Sequence, residues 1–223
     1  MLNIKQTDRV LEIGSGNRPR KRSNFLCDRY IESNYERAGE ENLVIDKRPF
    51  VVADGAALPF KDKSFDYVIT SHVLEHMNNP TQFIAELTRV AKAGYIETPS
   101  ELGEKIFGWP FHKWIVRIKN DTIIMRPRIA DSPFKNYFHQ MYQNDSLFAE
   151  FIDSHFSDYY VQYEWEETIP LRIEDDLSTD VKFSNSSQII FVGSRIKRLK
   201  IATVKFLISI LLKLLRHFRK FER

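Results

Sequence analysis

The amino-acid sequence predicts an α/β fold with a mostly parallel sheet and helices on both faces. Three observations lead to this prediction. Short apolar runs recur along the first hundred residues, and each stops at a glycine, an acid or a polar turn. Segments with helical periodicity or helix-start signals lie between several of these runs. Strands that alternate with helical segments are typical of a parallel sheet that is covered on both sides.

The segment at residues 10–16, VLEIGSG, predicts a buried strand that ends in a tight turn. Glycines let a backbone approach a ligand closely, and ligands of open α/β sheets bind beyond the carboxyl ends of strands. Pro19 stands where a dinucleotide fingerprint needs a third glycine or alanine, which disfavours NAD and FAD. The glycines are also not followed by the lysine and the serine or threonine that complete a phosphate loop. A nucleoside without a long phosphate chain fits better.

The next elements follow in order along the chain. Residues 24–28 predict a second strand, and the link from the first strand is too short for a full crossover helix. Residues 29–38 predict a helix capped by Gly39, and residues 43–46 predict a short strand or turn. Residues 50–54 and 65–71 predict two further strands.

A helix is clearly signalled from Asn79, which suits an N-cap, with Pro80 in the first position. Its apolar positions fall on one face, and we expect Gly94 to end it before a strand at residues 95–98. A second periodic segment beyond Asn144 predicts another helix, with Leu147, Phe148, Phe151 and Ile152 on one face.

Charge is distributed unevenly along the 223 residues, whose net charge is +3. Residues 195–223 hold ten Lys or Arg and one acid, so the rest of the chain is net negative. This split favours a basic appendage with an anionic partner, while the body shows no nucleic-acid footprint. Cys27 is the single cysteine and excludes an intrachain disulfide. We expect a cytosolic body, because the sequence opens on a polar segment without a secretory signal.

Four blocks together carry a family resemblance: VLEIGSG (10–16), ADGAALPF (53–60), SFDYVITSHVLEH (64–76) and FIAELTRVAKAGYIETP (83–99). In this order they resemble the class I S-adenosylmethionine-dependent methyltransferases, in the type 11 group. The resemblance implies a Rossmann-like sheet of seven strands and S-adenosylmethionine as the cofactor. It also implies a final antiparallel pair, for which residues 159–169 and 188–193 are the matching segments.

The resemblance implies a set of cofactor-binding residues. Those of the first turn lie beneath the methionine part, and an acid after the second strand takes the ribose hydroxyls, for which we prefer Asp28 and keep Asp46 as second choice. Asp54 belongs to the loop that holds the adenine, with Leu58 as an apolar wall. The remaining predicted positions are Glu12, Gly14, Ser15 and Gly16 in the first turn, and Ser71 and His72 beside the sulfonium.

The segment His72-Val73-Leu74-Glu75-His76 supports an alternative interpretation. It spells H-x-x-E-H, which in a zinc peptidase supplies two metal ligands and a base, and Glu150 lies far enough downstream to be a third ligand. The motif follows a strand directly, and the flanking blocks have no role in a peptidase. We therefore predict no metal, and expect His76 to cap or pack a short helix.

Residues 99–156 leave the core pattern and are rich in aromatic residues. In the type 11 group such a region helps to form the substrate pocket, and an aromatic segment can also shield a sulfonium. A lid packed on the sheet is an equal alternative. Methyl transfer needs no catalytic base, but a hydroxyl acceptor would benefit from one. The candidates are His112, His139 and Glu97.

Residues 195–223 predict a basic amphipathic helix that follows a methyltransferase domain at residues 1–194. The apolar stretch at residues 201–215 is interrupted by lysines and is shorter than the roughly 20 residues of a spanning helix. Basic side chains fall on one side and apolar ones on the other, which is typical of a helix at an anionic membrane interface. Packing on the body or on a second copy is the alternative.

The sequence thus predicts a methyltransferase that acts on a small molecule, a lipid or a glycan precursor. Its expected location is the cytoplasmic side of a membrane, held peripherally. A non-catalytic, membrane-associated binding protein on the same fold is the remaining alternative.

Overall fold

The computed structural model describes residues 2–37, 42–129, 134 and 136–174. These residues all belong to one compact unit, which spans residues 1–177. The predicted strand at residues 188–193 and the predicted tail at residues 195–223 lie outside the described residues, so both stay predictions.

The main sheet has six strands in the described residues, where the sequence predicted seven. The strands, in chain order, are β1 (Val10–Ile13), β2 (Phe25–Asp28), β3 (Phe50–Val52), β4 (Phe65–Ser71), β5 (Ala91–Pro99) and β8 (Tyr160–Glu166). Their spatial order is β3-β2-β1-β4-β5-β8, with β8 alone antiparallel. The 3-2-1-4-5 order of the parallel strands is that of a doubly wound Rossmann sheet, which confirms the predicted α/β class with a mostly parallel, Rossmann-like sheet.

A second, three-stranded sheet was not predicted. It consists of β6 (Trp114–Lys119), β7 (Thr122–Pro127) and β9 (Leu171–Ile173), in the order β6-β7-β9. Asn120 and Asp121 join β6 to β7 with φ values of 49° and 57°. Two consecutive left-handed residues form the tight turn that favours a two-residue hairpin.

The helix α1 (Pro80–Val90) begins as the sequence predicts. Asn79 caps it, because its side-chain oxygen accepts a hydrogen bond of 3.0 Å from the Gln82 N–H. The predicted end at Gly94 is wrong, since the helix stops at Val90 and Gly94 lies inside β5. A Cβ at Gly94 would lie 2.5 Å from the Val68 carbonyl oxygen, so close strand packing requires the glycine there.

The two faces of the main sheet are covered differently. On one face, α1 and the small sheet share one hydrophobic cluster with β1, β4 and β5. On the other, Val10, Tyr67, Ile69 and Tyr95 form a separate cluster, on which the described apolar groups are Leu2, Ile4 and Ala93. The predicted cover of helices on both faces is therefore not seen within the described ranges.

The described residues of the first two crossovers contain little helix. Residues 14–24, all of them described, contain none, as the short link predicted. Of the helix predicted at residues 29–38, the structure has one 3₁₀ turn at Tyr35–Arg37. Residues 43–46 form no strand. The loop after β1 therefore connects β1 to β2 without a crossover helix.

The remaining helices lie between β5 and β8 and stand at the carboxyl end of β5. They are α2 (Glu101–Phe107), α3 (Tyr137–Asn144), α4 (Ser146–Ser154) and α5 (Phe156–Tyr159). The helix predicted beyond Asn144 is confirmed as α4, of which Ile152 is buried while Leu147 and Phe151 are exposed. Within the ranges that the structure describes, no helix is both long and apolar enough to cross a membrane.

Candidate active site

The turn after β1 lies at the carboxyl edge of the main sheet and is tied to the neighbouring strand. The N–H groups of Gly14 and Ser15 both donate to the Cys27 carbonyl, at 2.8 and 3.2 Å. Gly14 and Gly16 have φ values of 70° and 53°. A Cβ on Gly14 would lie 2.2 Å from Val73 Cγ2, so only glycine fits this position.

Two cavities meet at this turn. The larger has a volume of about 690 Å³ and the smaller about 100 Å³. Both are lined by Gly14, Gly16, His72, His76 and the Glu36–Arg37 pair. The larger volume lies within the range of about 300–1,000 Å³ that is usual for small-molecule sites. A single elongated ligand can therefore pass over the glycine turn from one cavity to the other.

Glu12 lines the large cavity and is almost fully buried, at 4% exposure. Its Oε2 accepts hydrogen bonds from the Arg20 N–H at 2.8 Å and the Ser23 hydroxyl at 2.6 Å. Burial raises the pKa of Glu12, although these donors and the Arg20 and Arg48 charges oppose the rise. Glu12 thus holds the loop after β1 in place as well as facing the cavity.

Asp28 lies at the end of β2 and lines the small cavity. Its Oδ2 accepts from the Gly16 N–H at 3.0 Å, and its Oδ1 from the Arg37 guanidinium at 2.9 Å and the Tyr30 N–H at 3.2 Å. The carboxylate thus joins the glycine turn to the 3₁₀ turn beyond β2. Asp28 therefore lines the small cavity beside the glycine turn, and its role as the ribose acid stays a prediction.

Asp46, the second choice for that role, lies elsewhere. It is paired with Arg48 at 2.6 Å, and that hydrogen bond holds the pKa of Asp46 at about 2. Asp46 is not among the described residues that line either cavity. The structure therefore distinguishes the two candidate acids, because Asp28 lines a cavity and Asp46 is paired with Arg48 away from both.

Asp54 and Leu58 belong to the loop after β3. Asp54 Oδ1 accepts from the Ala56 N–H at 2.9 Å, and its Oδ2 lies 3.2 Å from Arg29, which lines the small cavity together with Ala53 and Gly55. Leu58 belongs to the main hydrophobic core instead, and is not among the described residues that line a cavity. The predicted role of Leu58 as a wall of the site has no support in this position.

Ser71 and His72 follow β4 and line the large cavity. The Arg20 guanidinium donates to Ser71 Oγ at 3.0 Å and lies 3.5 Å from Glu97. Arg20 thus joins the loop after β1 to the ends of β4 and β5. His72 adopts a φ of 56° and donates its N–H to the Glu97 carbonyl at 2.8 Å, which turns the chain away from the strand.

The H-x-x-E-H motif does not form the geometry of a peptidase. His72 Nδ1 lies 3.4 Å from Glu75 Oε1, and Glu75 and Glu97 raise the pKa of His72 although burial opposes its charge. Among the described residues, the side chains that are close enough together to hold a metal are Glu75, His76 and His112 instead. Glu150, the third ligand of the peptidase interpretation, is exposed on α4 and is not in that group.

Aromatic side chains line part of the large cavity. Trp109 stacks on Phe111 with ring centroids 5.6 Å apart, and Phe156 stacks on Tyr160 at 4.1 Å. All four rings face the cavity, together with Phe107, Tyr142 and Tyr159. The prediction that residues 99–156 contribute to a pocket is consistent with this placement.

The three predicted base candidates differ in position. His112 and His139 line the large cavity. Glu97 is not among its described lining residues, and its carboxylate accepts hydrogen bonds from the Tyr95 hydroxyl and from Gln162 at 3.2 Å. His112 and His139 are therefore the better placed of the three.

Sequence reasoning missed two arginines of the site. The sequence shows Arg20 only as part of a basic segment, and Arg37 as part of a predicted helix. Both line the large cavity, where they contact Ser71 and Asp28 respectively. The signal in the sequence was the excess of basic residues immediately after the glycine turn.

Part of the chain is similar in sequence to known methyltransferases. Residues 26–96 match the family model of the type 11 methyltransferase domain. A demethylmenaquinone methyltransferase of Renibacterium salmoninarum is 35% identical over 102 residues, which cover 45% of this chain and 40% of that protein. A norajmaline N-methyltransferase of Rauvolfia serpentina is 43% identical over 49 residues, which cover 22% and 17%.

Among solved structures, an S-adenosylmethionine-dependent methyltransferase of Methanosarcina mazei has a TM-score of 0.34 at 19% identity, covering 53% of this chain and 70% of that one. The chain spans about 40% of the length of the first curated relatives that it matches. The residues that match the family model are less than half of the chain, and they are similar to the class I S-adenosylmethionine-dependent methyltransferases of the type 11 group. This family implies S-adenosylmethionine as the cosubstrate.

Proposed function

We propose that this protein binds S-adenosylmethionine across the glycine turn and transfers its methyl group to a small acceptor in the aromatic part of the large cavity. The observation that carries the proposal is the meeting of two cavities at Gly14 and Gly16, with Glu12 on one side and Asp28 on the other. A nucleoside joined to an amino acid would place polar groups at both of its ends, towards these two acids.

The described residues fit the cofactor in two respects. The strict need for glycine at position 14 leaves a flat backbone surface between the cavities, against which a ligand can lie. Asp28 lines the small cavity and accepts three hydrogen bonds, from Gly16, Tyr30 and Arg37, and a carboxylate has about four acceptor sites, so one remains for a ribose hydroxyl. Asp28 would hold the ribose, while Ala53 and Gly55 would lie along the base.

At the other end, charged groups of both signs suit an amino acid. Buried Glu12 would accept a hydrogen bond from the cofactor's ammonium group. Arg18 and Arg20 both line the large cavity and would attract its carboxylate. The Arg20 position is fixed by its bonds to Ser71 and Glu97, so its charge is already oriented.

The aromatic part of the large cavity favours a flat, apolar acceptor. Stacked rings such as Trp109 and Phe111 present π faces, which bind planar groups and attract a sulfonium cation. Of the predicted acceptor classes, a small molecule and a lipid with a ring suit this lining better than a glycan does. The demethylmenaquinone relative points in the same direction, but its similarity covers only 40% of that protein.

S-adenosylmethionine supplies a methyl group on a positively charged sulfur, which a nucleophile takes by direct displacement. The protein's main contribution to such a step is to hold the acceptor in line, and positioning alone can supply about 7–11 kcal/mol of the barrier. His112 and His139 remain the predicted bases if the acceptor is a hydroxyl. Unchanged turnover after His112→Ala would remove His112 from that role.

Calorimetry with S-adenosylmethionine tests the proposal, with Asp28→Asn as the variant and Asp46→Asn as its matched control. Loss of a charged hydrogen bond costs about 1.5–3 kcal/mol, so Asp28→Asn should raise the Kd by roughly 10–100-fold while Asp46→Asn leaves it unchanged. No heat and no thermal shift at millimolar cofactor would contradict the proposal. Labelled cofactor and fractionated extracts would then identify the acceptor, and binding without methyl transfer would favour the non-catalytic alternative.

A further inference from the structure

Three potential metal ligands converge beside the large cavity. Glu75 and His76 belong to the 3₁₀ turn Leu74–His76, which follows β4, and His112 lies in the loop between α2 and β6. One ligand atom from each of the three lies within 4.8 Å of the others. All three side chains are buried, with exposures of 1%, 7% and 7%.

The carboxylate of Glu75 has only half of its hydrogen-bonding capacity used. Its Oε2 accepts from the Thr98 hydroxyl at 2.8 Å. Its Oε1 is buried and has no hydrogen-bond partner among the described residues, with His72 Nδ1 at 3.4 Å and His76 Nε2 at 3.9 Å. A buried, unpartnered carboxylate oxygen is costly, and a cation bound there would satisfy it.

The Nδ1 atoms of His76 and His112 both lie near carboxylates, at different distances. His112 Nδ1 lies 2.7 Å from Glu104 Oε2, and Arg128 fixes that glutamate through a contact of 3.0 Å to its Oε1. His76 Nδ1 lies 3.9 Å from Glu36 Oε2. Carboxylates at Nδ1 orient metal-binding histidines and leave Nε2 for the metal. His112 has this support, whereas His76 Nδ1 is buried and has no hydrogen-bond partner among the described residues.

We propose that Glu75, His76 and His112 bind a divalent transition-metal ion, with the Nε2 atoms of the histidines and Oε1 of Glu75 as ligands. Two histidines and one carboxylate form a ligand set that suits Zn²⁺ and Fe²⁺. Ligands at about 2.1 Å from one ion lie roughly 3.4 Å apart, so the present spacing closes with side-chain shifts of about an ångström.

The site faces the same cavity as the proposed methyl transfer, because His76 and His112 both line it. Three protein ligands leave at least one coordination position for another group. In this arrangement His112 acts as a ligand and not as a base, which leaves His139 as the base candidate that lines the cavity. The metal site does not depend on the proposed methyl transfer, since its ligands are defined by their own geometry.

Zn²⁺ binding to the full chain tests the proposal. The protein is stripped with a chelator, dialysed, and titrated with Zn²⁺ in a calorimeter, and the metal is then counted by mass spectrometry. We expect about one Zn²⁺ per chain, and a cobalt derivative with the visible absorption of a low-coordinate nitrogen and oxygen site. Fewer than about 0.2 Zn²⁺ per chain would overturn the proposal.

Four variants and one matched control complete the experiment. Glu75→Gln, His76→Gln and His112→Asn should each weaken Zn²⁺ binding at least 100-fold, and Glu104→Gln about 10–100-fold. His155→Gln, a change in an exposed histidine at the C-cap of α4, should bind Zn²⁺ as the wild type does. Equal binding by all five proteins would overturn the ligand assignment.

Cofactor binding, measured on the same preparations, separates this proposal from the previous one. Glu75→Gln is the informative variant, because Glu75 is not among the described residues that line either cavity. If Glu75→Gln binds S-adenosylmethionine normally and has lost Zn²⁺, the variant is folded and the metal site is supported. If the wild-type protein binds the cofactor but fails to bind Zn²⁺, the result contradicts the metal site and leaves the methyltransferase proposal standing. Zn²⁺ binding without cofactor binding gives the reverse result.

Discussion

Replacing Gly14 by alanine should damage the turn after β1 in a way that the structure makes quantitative. Gly14 has a φ of 70°, and a left-handed backbone costs a non-glycine residue about 1–2 kcal/mol. The new Cβ would also lie 2.2 Å from Val73 Cγ2. Forcing a methyl group into a packed region costs about 1–3 kcal/mol. Gly14→Ala should therefore lower the free energy of unfolding by about 2–5 kcal/mol.

Gly16→Ala is the matched control for this substitution. Gly16 is also left-handed, with a φ of 53°, but the nearest atom to a Cβ added there is the Gly14 carbonyl oxygen at 3.8 Å. It should carry only the backbone penalty of about 1–2 kcal/mol. The difference between the two alanine variants isolates the contact with Val73.

The assay is urea unfolding of four variants. Three are the single variants Gly14→Ala, Gly16→Ala and Val73→Ala, and the fourth is the double variant Gly14→Ala/Val73→Ala. Removing Cγ2 of Val73 should recover about 1–3 kcal/mol in the Gly14→Ala background, seen as a favourable coupling energy in the double-mutant cycle. Equal stability of Gly14→Ala and Gly16→Ala, or no recovery in the double variant, would show that the contact with Val73 does not set the requirement for glycine.

Three further predictions concern the core, the pH dependence and the tail. Gly94→Ala should destabilise the protein by more than about 2 kcal/mol, because its Cβ would meet the Val68 carbonyl, and a calorimetric Tm equal to wild type contradicts this. The Arg89 hydrogen bond lowers the pKa of Glu86, so its contribution to stability is present at neutral pH and is lost as the pH falls below about 4.5. Glu86→Gln should thus lose about 1–3 kcal/mol near neutral pH and less at about pH 3.5 by urea unfolding, and an equal loss at both would contradict it. Deleting residues 195–223 should abolish sedimentation with anionic liposomes, and undiminished sedimentation would exclude the tail as the membrane-binding element.

The parts of the fold that were predicted correctly depend on local signals. Strand β4 is predicted directly by a buried apolar run, and α1 by the Asn79-Pro80 start signal and its periodicity. Gly94 misled the prediction because a glycine after a helix usually caps it, whereas here a neighbouring strand requires the missing side chain. A local sequence pattern does not show which side chains a strand distant in sequence leaves room for.

The small sheet was missed for a similar reason. Its hairpin turn, Asn120-Asp121 between two apolar runs, was a readable signal. The parallel pairing of β7 with β9 joins segments more than forty residues apart, and no local pattern indicates it. The same holds for the site, where His112 reaches His76 only because α2 and the loop after it return to the end of β4.

Which residues lie beside the glycine turn was predictable, because the turn fixes their spacing along the chain, while their roles in cofactor binding stay predictions. The choice between Asp28 and Asp46 was not, since it depends on which acid the chain leaves at the sheet edge and which it pairs with Arg48. The predicted tail lies outside the described residues and stays a prediction.

A crystal structure of the protein with S-adenosylhomocysteine would show directly whether the glycine turn is the cofactor site. We predict that the sulfur lies against the turn formed by Gly14 and Gly16, with the ribose hydroxyls on Asp28 and the amino-acid end towards Glu12. A nucleoside bound away from this turn, or a turn closed by side chains with Asp28 making no contact to the ligand, would contradict the proposed cofactor site.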